Sequence, residues 1–258
     1  EKTVGEQLKH CKSIDDLLKL KICDPACGSG SFLLGAYDRL IQWALRFLGG
    51  GNSETAAKRL EKAHNREDAT ITNSGEVKLT AKLKRLILTS CIYGVDIDEQ
   101  AVEVAKVSLS LKALENATHD DLREEMFSTK EKVLPSLEEN IRCGNSLVGK
   151  DIYELFPNRP DSKAAKGKTS KTTTQGSLPF GESSWQHELE KLKPFDWPTA
   201  FPQVFRQEGF DAVIGNPPYV HQRDNLIEDA SIPYVKSKYL SSNFRQNTYT
   251  LFVEKSLT

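Results

Sequence analysis

"KICDPACGSGSF", residues 21–32, is typical of a buried strand that is followed by a glycine turn and the start of a helix. The apolar run ends at Asp24, and Gly28 and Gly30 follow within six residues. Glycine tolerates positive φ and leaves room for a ligand against the backbone. Apolar side chains then recur at helical spacing through 31–48. This stretch therefore predicts a strand, a ligand-accepting turn and a long helix.

The same alternation continues along the chain. Further strands are predicted in IYGVDID (92–98), ENIRCGNSLVG (139–149) and FDAVIGNPPYV (210–220). Helices are predicted over 13–20, in VKLTAKLKRLILTSC (77–91), in EQAVEVAKVSLSLKAL (99–114), over 185–195 and from 249 onward, with Ser13 and Asp98 as N-caps. The helix over 99–114 is apolar on nearly all sides, so we expect it to be buried. Strands separated by helices predict an α/β fold with a doubly wound, mostly parallel, Rossmann-like sheet.

Two polar segments interrupt this pattern. Residues 53–75 predict a partly helical insertion. Residues 158–184 are rich in Lys, Thr, Ser and Gly and have few large apolar side chains, so we expect a disordered loop.

Bulk composition excludes several classes of protein. The chain has 258 residues, 38% of them hydrophobic, and a net charge of -1, so any nucleic-acid contact must be a local basic patch. No apolar run is long enough to span a bilayer, and we expect a cytoplasmic protein. The five cysteines show no zinc-ligand spacing, which predicts reduced thiols in the core and no metal site. None of the five histidines is assigned a catalytic role.

Polar clusters follow each predicted strand, and the carboxyl ends of parallel strands meet at one edge of a sheet. The glycine turn lacks both the lysine of a triphosphate loop and the third glycine of a dinucleotide loop. Asp24 would repel a phosphate but can pair with an ammonium, and Asp96 is placed to accept hydrogen bonds from ribose hydroxyls. Together they predict S-adenosylmethionine as the cofactor. The alternative, in which both carboxylates serve only in turns or caps, stays open.

The Asn-Pro-Pro-Tyr corner at 216–219 is stiff and rich in acceptors, because neither proline has an N–H. The Asn216 side-chain oxygen and the Pro217 carbonyl can accept from one amino group, and Tyr219 offers a flat face for a planar ring. This arrangement favours methyl transfer to a poorly nucleophilic nitrogen. A base in duplex DNA would first have to be flipped out and stacked on Tyr219. The alternative is a proline turn that closes a buried strand, with Tyr219 in the core.

Taken in order, DPACGSGSF, IYGVDID, IRCGNSLVG, FDAVIGNPPYV and YTLFVEKSL resemble the motifs of gamma-class DNA adenine-N6 methyltransferases. The resemblance is greatest to the methylase portion of fused, type IIG-like restriction-modification enzymes, and it covers about residues 20–257 apart from the two polar segments, 53–75 and 158–184. It implies that the catalytic residues are Asn216, Pro217, Pro218 and Tyr219. It implies that the cofactor-binding residues are Asp24, Pro25, Ala26, Cys27, Gly28, Gly30, Phe32, Asp96, Ile97, Asn145, Ser146 and Phe252. Asn145 stands where many relatives have aspartate, and an amide can also accept a hydrogen bond from the cofactor's adenine amine.

Two departures from the family pattern concern the ends of the chain. The tyrosine-threonine-proline segment that precedes the glycine loop in such enzymes is absent from residues 1–20, and the chain stops before any target-recognition domain. We therefore expect residues 1–258 to be an excised methyltransferase core that is truncated at its C-terminus. As partners we expect DNA, and a target-recognition domain and possibly a nuclease domain in the full-length chain. The fragment alone is expected to bind the cofactor weakly and to methylate DNA poorly or not at all.

Two alternatives to DNA adenine methylation remain open. The same corner serves methylation of a glutamine amide in a protein or of an amino group in RNA. A non-catalytic scaffold that binds the cofactor and contacts DNA is the other alternative. In that case the phosphate contacts would come from the basic residues that follow the corner, which are Arg223, Lys236, Lys238 and Arg245.

Overall fold

The structure, a computed structural model, describes residues 2–50, 58–59, 61–63, 67–72, 75–115, 134–155, 191–218, 231–243 and 248–257. The segment predicted to be disordered, 158–184, and most of the helix predicted over 185–195 lie outside these residues. The described residues fall into two compact units. The first comprises Glu1–Cys143 and Pro198–Pro217, and the second comprises Gly144–Trp197 and Pro218–Thr258.

The first unit contains a parallel four-stranded sheet. Its strands are β1 (Ile22–Asp24), β4 (Ile92–Asp96), β5 (Ile141–Cys143) and β6 (Ala212–Val213), in the order β5-β4-β1-β6. Ile22 lies opposite Ile92 on one side and Ala212 on the other. The predicted α/β class and the parallel sheet are confirmed.

Two of the helices in this unit precede β1, and the others lie between strands. These helices are α1 (Lys2–His10), α2 (Ile14–Lys19), α3 (Ser31–Gly49), α4 (Ala81–Cys91), α5 (Glu99–Ala113), α6 (Trp197–Ala200) and α7 (Pro202–Phe205). The predicted caps are confirmed, since the Ser13 hydroxyl accepts from the Asp16 N–H and the Asp98 carboxylate accepts from the Gln100 N–H. No described helix combines the length and the apolar character that a membrane span requires.

The core of the first unit forms where α3 and α4 pack against each other and α3 packs on the sheet. In α3 the buried residues recur at helical spacing and include Leu33, Tyr37 and Leu40. Leu83 and Ile87 of α4 are fully buried. Each such aliphatic side chain contributes about 1.5–3 kcal/mol by leaving water, which holds the helices against the strands.

Residues 77–79 differ from the prediction of a helix over 77–91. They form β3 (Val77–Leu79), which pairs antiparallel with β2 (Ala69–Ile71). Gly75 has φ +81 in the connecting turn, and the Thr80 hydroxyl caps α4 by accepting from the Leu83 N–H. The helix therefore begins only after its N-cap.

The prediction that the helix over 99–114 is buried all round is wrong. One face of α5 is buried and includes Val102, Ala105 and Leu109, whereas Val104 and Val107 are more than half exposed. The prediction of core thiols holds for Cys23, Cys27 and Cys91, but Cys143 is exposed and Cys11 is only partly buried. All five cysteines are free.

The second unit contains a 3-10 turn (Lys150–Leu155), α8 (Ser231–Lys238), a second 3-10 turn (Leu240–Asn243) and α9 (Thr248–Leu257). Its core is built from the buried residues Leu147, Val148, Ile152, Leu192, Tyr234, Val235, Tyr239 and Leu251. The helix predicted from 249 onward corresponds to α9.

Candidate active site

Three of the predicted polar clusters meet at one edge of the sheet in the first unit. β1 ends at Asp24 and β4 ends at Asp96, and Asp24 lies opposite Gly94. β6 runs alongside β1, and the Ile214 N–H donates to the Cys23 carbonyl at 2.8 Å. The segment that leads to Asn216 therefore begins beside Asp24, as the parallel topology predicts.

The glycine loop is tied to the end of β4 by hydrogen bonds that its backbone N–H groups donate. The Cys27 N–H donates to the Val95 carbonyl at 3.0 Å, and the Gly28 N–H donates to Asp96 Oδ2 at 2.7 Å. Gly28 has φ +51 and Gly30 has φ +89, so both adopt the left-handed conformation that the sequence predicts. A Cβ on Gly28 would meet no atom within 4 Å, so the loop presents open space next to Asp96.

Asp24 is a buried carboxylate, and its surroundings offset little of the cost of removing its charge from water. It is 1% exposed, and its Oδ1 accepts from the Ala26 N–H at 3.0 Å. Burial is the main cause that raises its pKa to about 6, and the nearby negative charge of Asp96 adds to the effect. An ammonium group placed here would offset both the burial of the charge and its repulsion by Asp96, whereas a phosphate would add further repulsion. The chemistry of this carboxylate fits the amino-acid end of S-adenosylmethionine.

Asp96 combines a structural role with spare acceptor capacity. Its Oδ1 accepts from the Asp98 N–H at 2.9 Å, and its Oδ2 holds the Gly28 N–H. Each carboxylate oxygen has a second lone pair, so the group can still accept from two hydroxyls of a ribose. Ile97 and Phe32 follow the loop and strand ends with about half of their surface exposed, 49% and 50%.

The other loop residues predicted to bind the cofactor, Pro25, Ala26 and Cys27, are buried to different extents. Cys27 is 6% exposed, and burial raises the pKa of its thiol, so it stays protonated and is not a nucleophile. Pro25 and Ala26 are partly buried in the turn after β1.

Two glycines that the sequence reasoning did not single out bring these elements together. A Cβ on Gly215 would lie 2.6 Å from Asp24 Oδ1, and a Cβ on Gly94 would lie 2.8 Å from Leu33 Cδ1 and 3.1 Å from Cys27 Sγ. Both follow apolar residues in predicted strands, and glycine in a strand often marks a close backbone approach, which was the available signal.

The Asn-Pro-Pro corner continues directly from Gly215. Asn216 is exposed and Pro217 is buried, so the asparagine is presented on a fixed backbone. Pro218 belongs to the second unit, where its carbonyl accepts a hydrogen bond from the Thr248 hydroxyl at the start of α9. Tyr219, the fourth residue of the corner, lies outside the described residues.

The second unit carries the other predicted site residues. Asn145 Oδ1 accepts from the Leu147 N–H at 3.1 Å, and Ser146 is buried. Phe252 is partly buried against the core of this unit.

Two of the four basic residues predicted as possible phosphate contacts lie within the described residues. Lys238 pairs with Asp151 at 2.5 Å, and Lys236 is exposed, while Arg223 and Arg245 lie outside the described residues. Across the part of the chain that the structure describes, no three His, Cys, Asp or Glu side chains are grouped to hold a metal ion.

Comparison with known proteins places this arrangement in a family. Residues 90–258 match the Eco57I restriction-modification methylase family. The chain is 27% identical to the type II restriction enzyme and methyltransferase RM.Eco57I of Escherichia coli, over 97% of this chain and 20% of that protein. It is 28% identical to the putative type II restriction enzyme and methyltransferase RM.MjaORFECS2P of Methanocaldococcus jannaschii, over 80% of this chain and 22% of that protein.

A third relative is named for its target base. It is the adenine-specific methyltransferase PglX of Streptomyces coelicolor, to which the chain is 27% identical over 90% of its own length and 15% of the relative. The chain thus spans about a fifth of these proteins, or less. Because the family match covers well over half of its residues and includes β4 and the Asn-Pro-Pro-Tyr corner, the chain belongs to the Eco57I restriction-modification methylase family.

Proposed function

We propose that the intact protein transfers a methyl group from S-adenosylmethionine to N6 of an adenine in DNA, as part of a restriction-modification system in the cytoplasm. Family membership and the adenine-specific relative support the reaction class. The observation that carries the proposal is the packing of Gly215 against the Asp24 carboxylate. It puts a group suited to the cofactor's ammonium next to the backbone that leads into Asn216 and Pro217.

Each cofactor group has a chemically matched partner in the first unit. Asp24 would pair with the ammonium, and the open space at Gly28 would admit the ligand against the backbone. Asp96 would accept from the ribose hydroxyls, while Ile97 and Phe32 would flank the adenine ring with apolar surface. When bound, S-adenosylmethionine supplies an electrophilic methyl group on a sulfonium.

In the second unit, we propose that Asn145 and Ser146 bind the cofactor's adenine edge and that Phe252 lies near the cofactor or the target base. The Asn145 amide oxygen has a second lone pair besides the one that accepts from Leu147.

The Asn-Pro-Pro-Tyr corner would activate the target nitrogen. The amino group of adenine is a weak nucleophile because its lone pair is delocalised into the ring. The Asn216 side-chain oxygen and the Pro217 carbonyl would accept its two hydrogens, localise the lone pair and stabilise the positive charge that develops during transfer. Tyr219 would stack on the flipped base and offset part of the few kcal/mol that unstacking costs.

Identification of the methylated product tests this function. The intact protein would be incubated with methyl-labelled S-adenosylmethionine and unmethylated genomic DNA, and the DNA digested to nucleosides for mass spectrometry. N6-methyladenine is expected. The Asn216→Ala variant should lower kcat about 100- to 1000-fold, by analogy with loss of one preorganised transition-state contact. Label on cytosine, or on RNA or protein in parallel reactions but not on DNA, would refute the proposal.

A further inference from the structure

The turn at Asn145–Gly149 is held at every residue by groups from distant parts of the second unit. The bonds are Asn145 N–H to Lys193 O (2.8 Å), Trp197 Nε1–H to Ser146 O (3.2 Å), Tyr239 O–H to Leu147 O (2.7 Å), Phe195 N–H to Val148 O (2.8 Å) and Gly149 N–H to Tyr234 Oη (3.0 Å). A turn anchored at each residue has little freedom to change shape.

Packing adds to this anchoring. Phe195 lies so close to Gly144 that a Cβ there would be 2.4 Å from the ring, and the Phe195 and Trp197 rings meet edge to face with centroids 5.1 Å apart. Val148 is 2% exposed. Within the turn, the Leu147 N–H donates to Asn145 Oδ1, which fixes the orientation of the Asn145 amide.

Tyr239 makes the most consequential of these bonds. Its hydroxyl is a buried donor that reaches the Leu147 carbonyl across 92 positions of sequence, and its N–H is held by the Val235 carbonyl at the end of α8. Burial raises the pKa of Tyr239, so the hydroxyl keeps its proton. Loss of this donor would leave a carbonyl in the middle of the turn without its protein partner.

We infer that Tyr239 is a positioning residue for the cofactor, acting through the Leu147 carbonyl on Asn145 and Ser146. The inference rests on the proposed function, in which these two residues bind the cofactor's adenine edge. The amide of Asn145 must be correctly oriented before binding, because a turn that has to be ordered by the ligand weakens its affinity. Tyr239 therefore affects cofactor binding and not the transfer step, which the Asn-Pro-Pro-Tyr corner carries out.

Steady-state kinetics of Tyr239→Phe in the intact protein tests this inference. Tyr37→Phe is the matched control, since Tyr37 is also buried and its hydroxyl also donates to a backbone carbonyl, that of Lys84 at 3.0 Å in the first unit. Tyr239→Phe should raise KM for S-adenosylmethionine about three- to tenfold, the loss of one net hydrogen bond, and leave kcat nearly unchanged. Tyr37→Phe also removes one buried hydrogen bond, so it should lower stability as Tyr239→Phe does, but it should leave KM unchanged.

Other results overturn the inference. An unchanged KM in Tyr239→Phe, a fall in kcat alone, or an equal rise of KM in Tyr37→Phe would show that Tyr239 has only a structural role. Should Tyr239→Phe fail to fold, Trp197→Phe removes the donor to the Ser146 carbonyl, and it too must raise KM. A wild-type protein that neither binds S-adenosylmethionine nor methylates DNA would refute the proposed function and this inference with it.

Discussion

Replacing Asp24 by asparagine is expected to stabilise the ligand-free protein while it weakens cofactor binding. The carboxylate is 1% exposed, and burial together with the charge of Asp96 raises its pKa to about 6. The ordinary pKa in an unfolded chain is about 3.9. Each tenfold change in the ionisation constant is worth about 1.4 kcal/mol, so keeping Asp24 ionised in the folded protein costs about 3 kcal/mol.

The sign of the pH dependence follows from the raised pKa. The folded state favours the protonated acid, so this contribution to stability is present below about pH 4 and is lost as the pH rises through about 6. Asparagine imitates the neutral acid and can still accept from the Ala26 N–H. The variant should therefore match the wild type near pH 4 and exceed its free energy of unfolding by up to about 3 kcal/mol at pH 7.5.

Binding should change in the opposite direction. Loss of a charge-assisted bond to the ammonium should raise Kd for S-adenosylmethionine about ten- to hundredfold at pH 7.5. In the wild type, Kd should rise about tenfold for each pH unit below 6, because the protonated acid has no charge to offer. The variant should lack that pH dependence of Kd.

Urea unfolding and calorimetric titration at several pH values provide the measurements. Asp211→Asn is the control, because Asp211 is an exposed carboxylate that accepts from the Lys21 N–H at 2.7 Å at the start of β6. It should gain no stability and bind the cofactor normally. A variant Asp24→Asn that is less stable than wild type at pH 7.5, or that binds S-adenosylmethionine equally well, would refute the reasoning.

Two further substitutions give separate tests. Gly215→Ala should lower the free energy of unfolding by about 2–5 kcal/mol and weaken cofactor binding, because its Cβ would press on Asp24 and its φ is +153. The control is Gly209→Ala, at φ +105 with no atom within 4 Å of the new Cβ. In the same urea and calorimetry assays it should show only the cost of backbone strain and bind the cofactor normally. Equal effects of the two alanines would contradict the steric argument. Thr248→Val removes the hydroxyl that donates to the Pro218 carbonyl and should lower kcat about three- to tenfold without changing Kd for S-adenosylmethionine. Unaltered turnover would show that this bond does not hold the corner.

Sequence reasoning predicted the sheet well because the determinants of each strand are local. Asp24 and Asp96 end apolar runs and are followed by a glycine turn or a capped helix, so the strand ends could be located from one sequence. Parallel topology then required these ends to share an edge. The helix caps Ser13 and Asp98 were predictable for the same reason.

Local pattern failed where tertiary neighbours decide the outcome. Val77–Leu79 continues the helical spacing of α4 in sequence, but it pairs with Ala69–Ile71 instead. Thr80 as an N-cap was the signal that separates the two elements. The burial of α5 was overestimated because apolar composition does not show which face has a neighbour, as the exposed Val104 illustrates.

Contacts between distant positions were the least predictable part of the site. The approach of Gly215 to Asp24 and the bond from Tyr239 to Leu147 join residues that are far apart in sequence. A glycine or a tyrosine in the sequence does not indicate which distant residue it will contact. The roles proposed for Asn145 and Phe252 come from the resemblance to family motifs.

The central claim is that the loop and strand ends bind the cofactor while the corner acts on the target nitrogen. The most direct test is calorimetric titration of S-adenosylmethionine, in parallel, into the variants Asp96→Ala, Asn216→Ala and Asp98→Ala. Asp98→Ala controls for lost helix capping, which costs about 1 kcal/mol. Saturable binding should be lost in Asp96→Ala and retained in the other two variants. Retained binding in Asp96→Ala, or equal loss in Asn216→Ala, would contradict this division of roles.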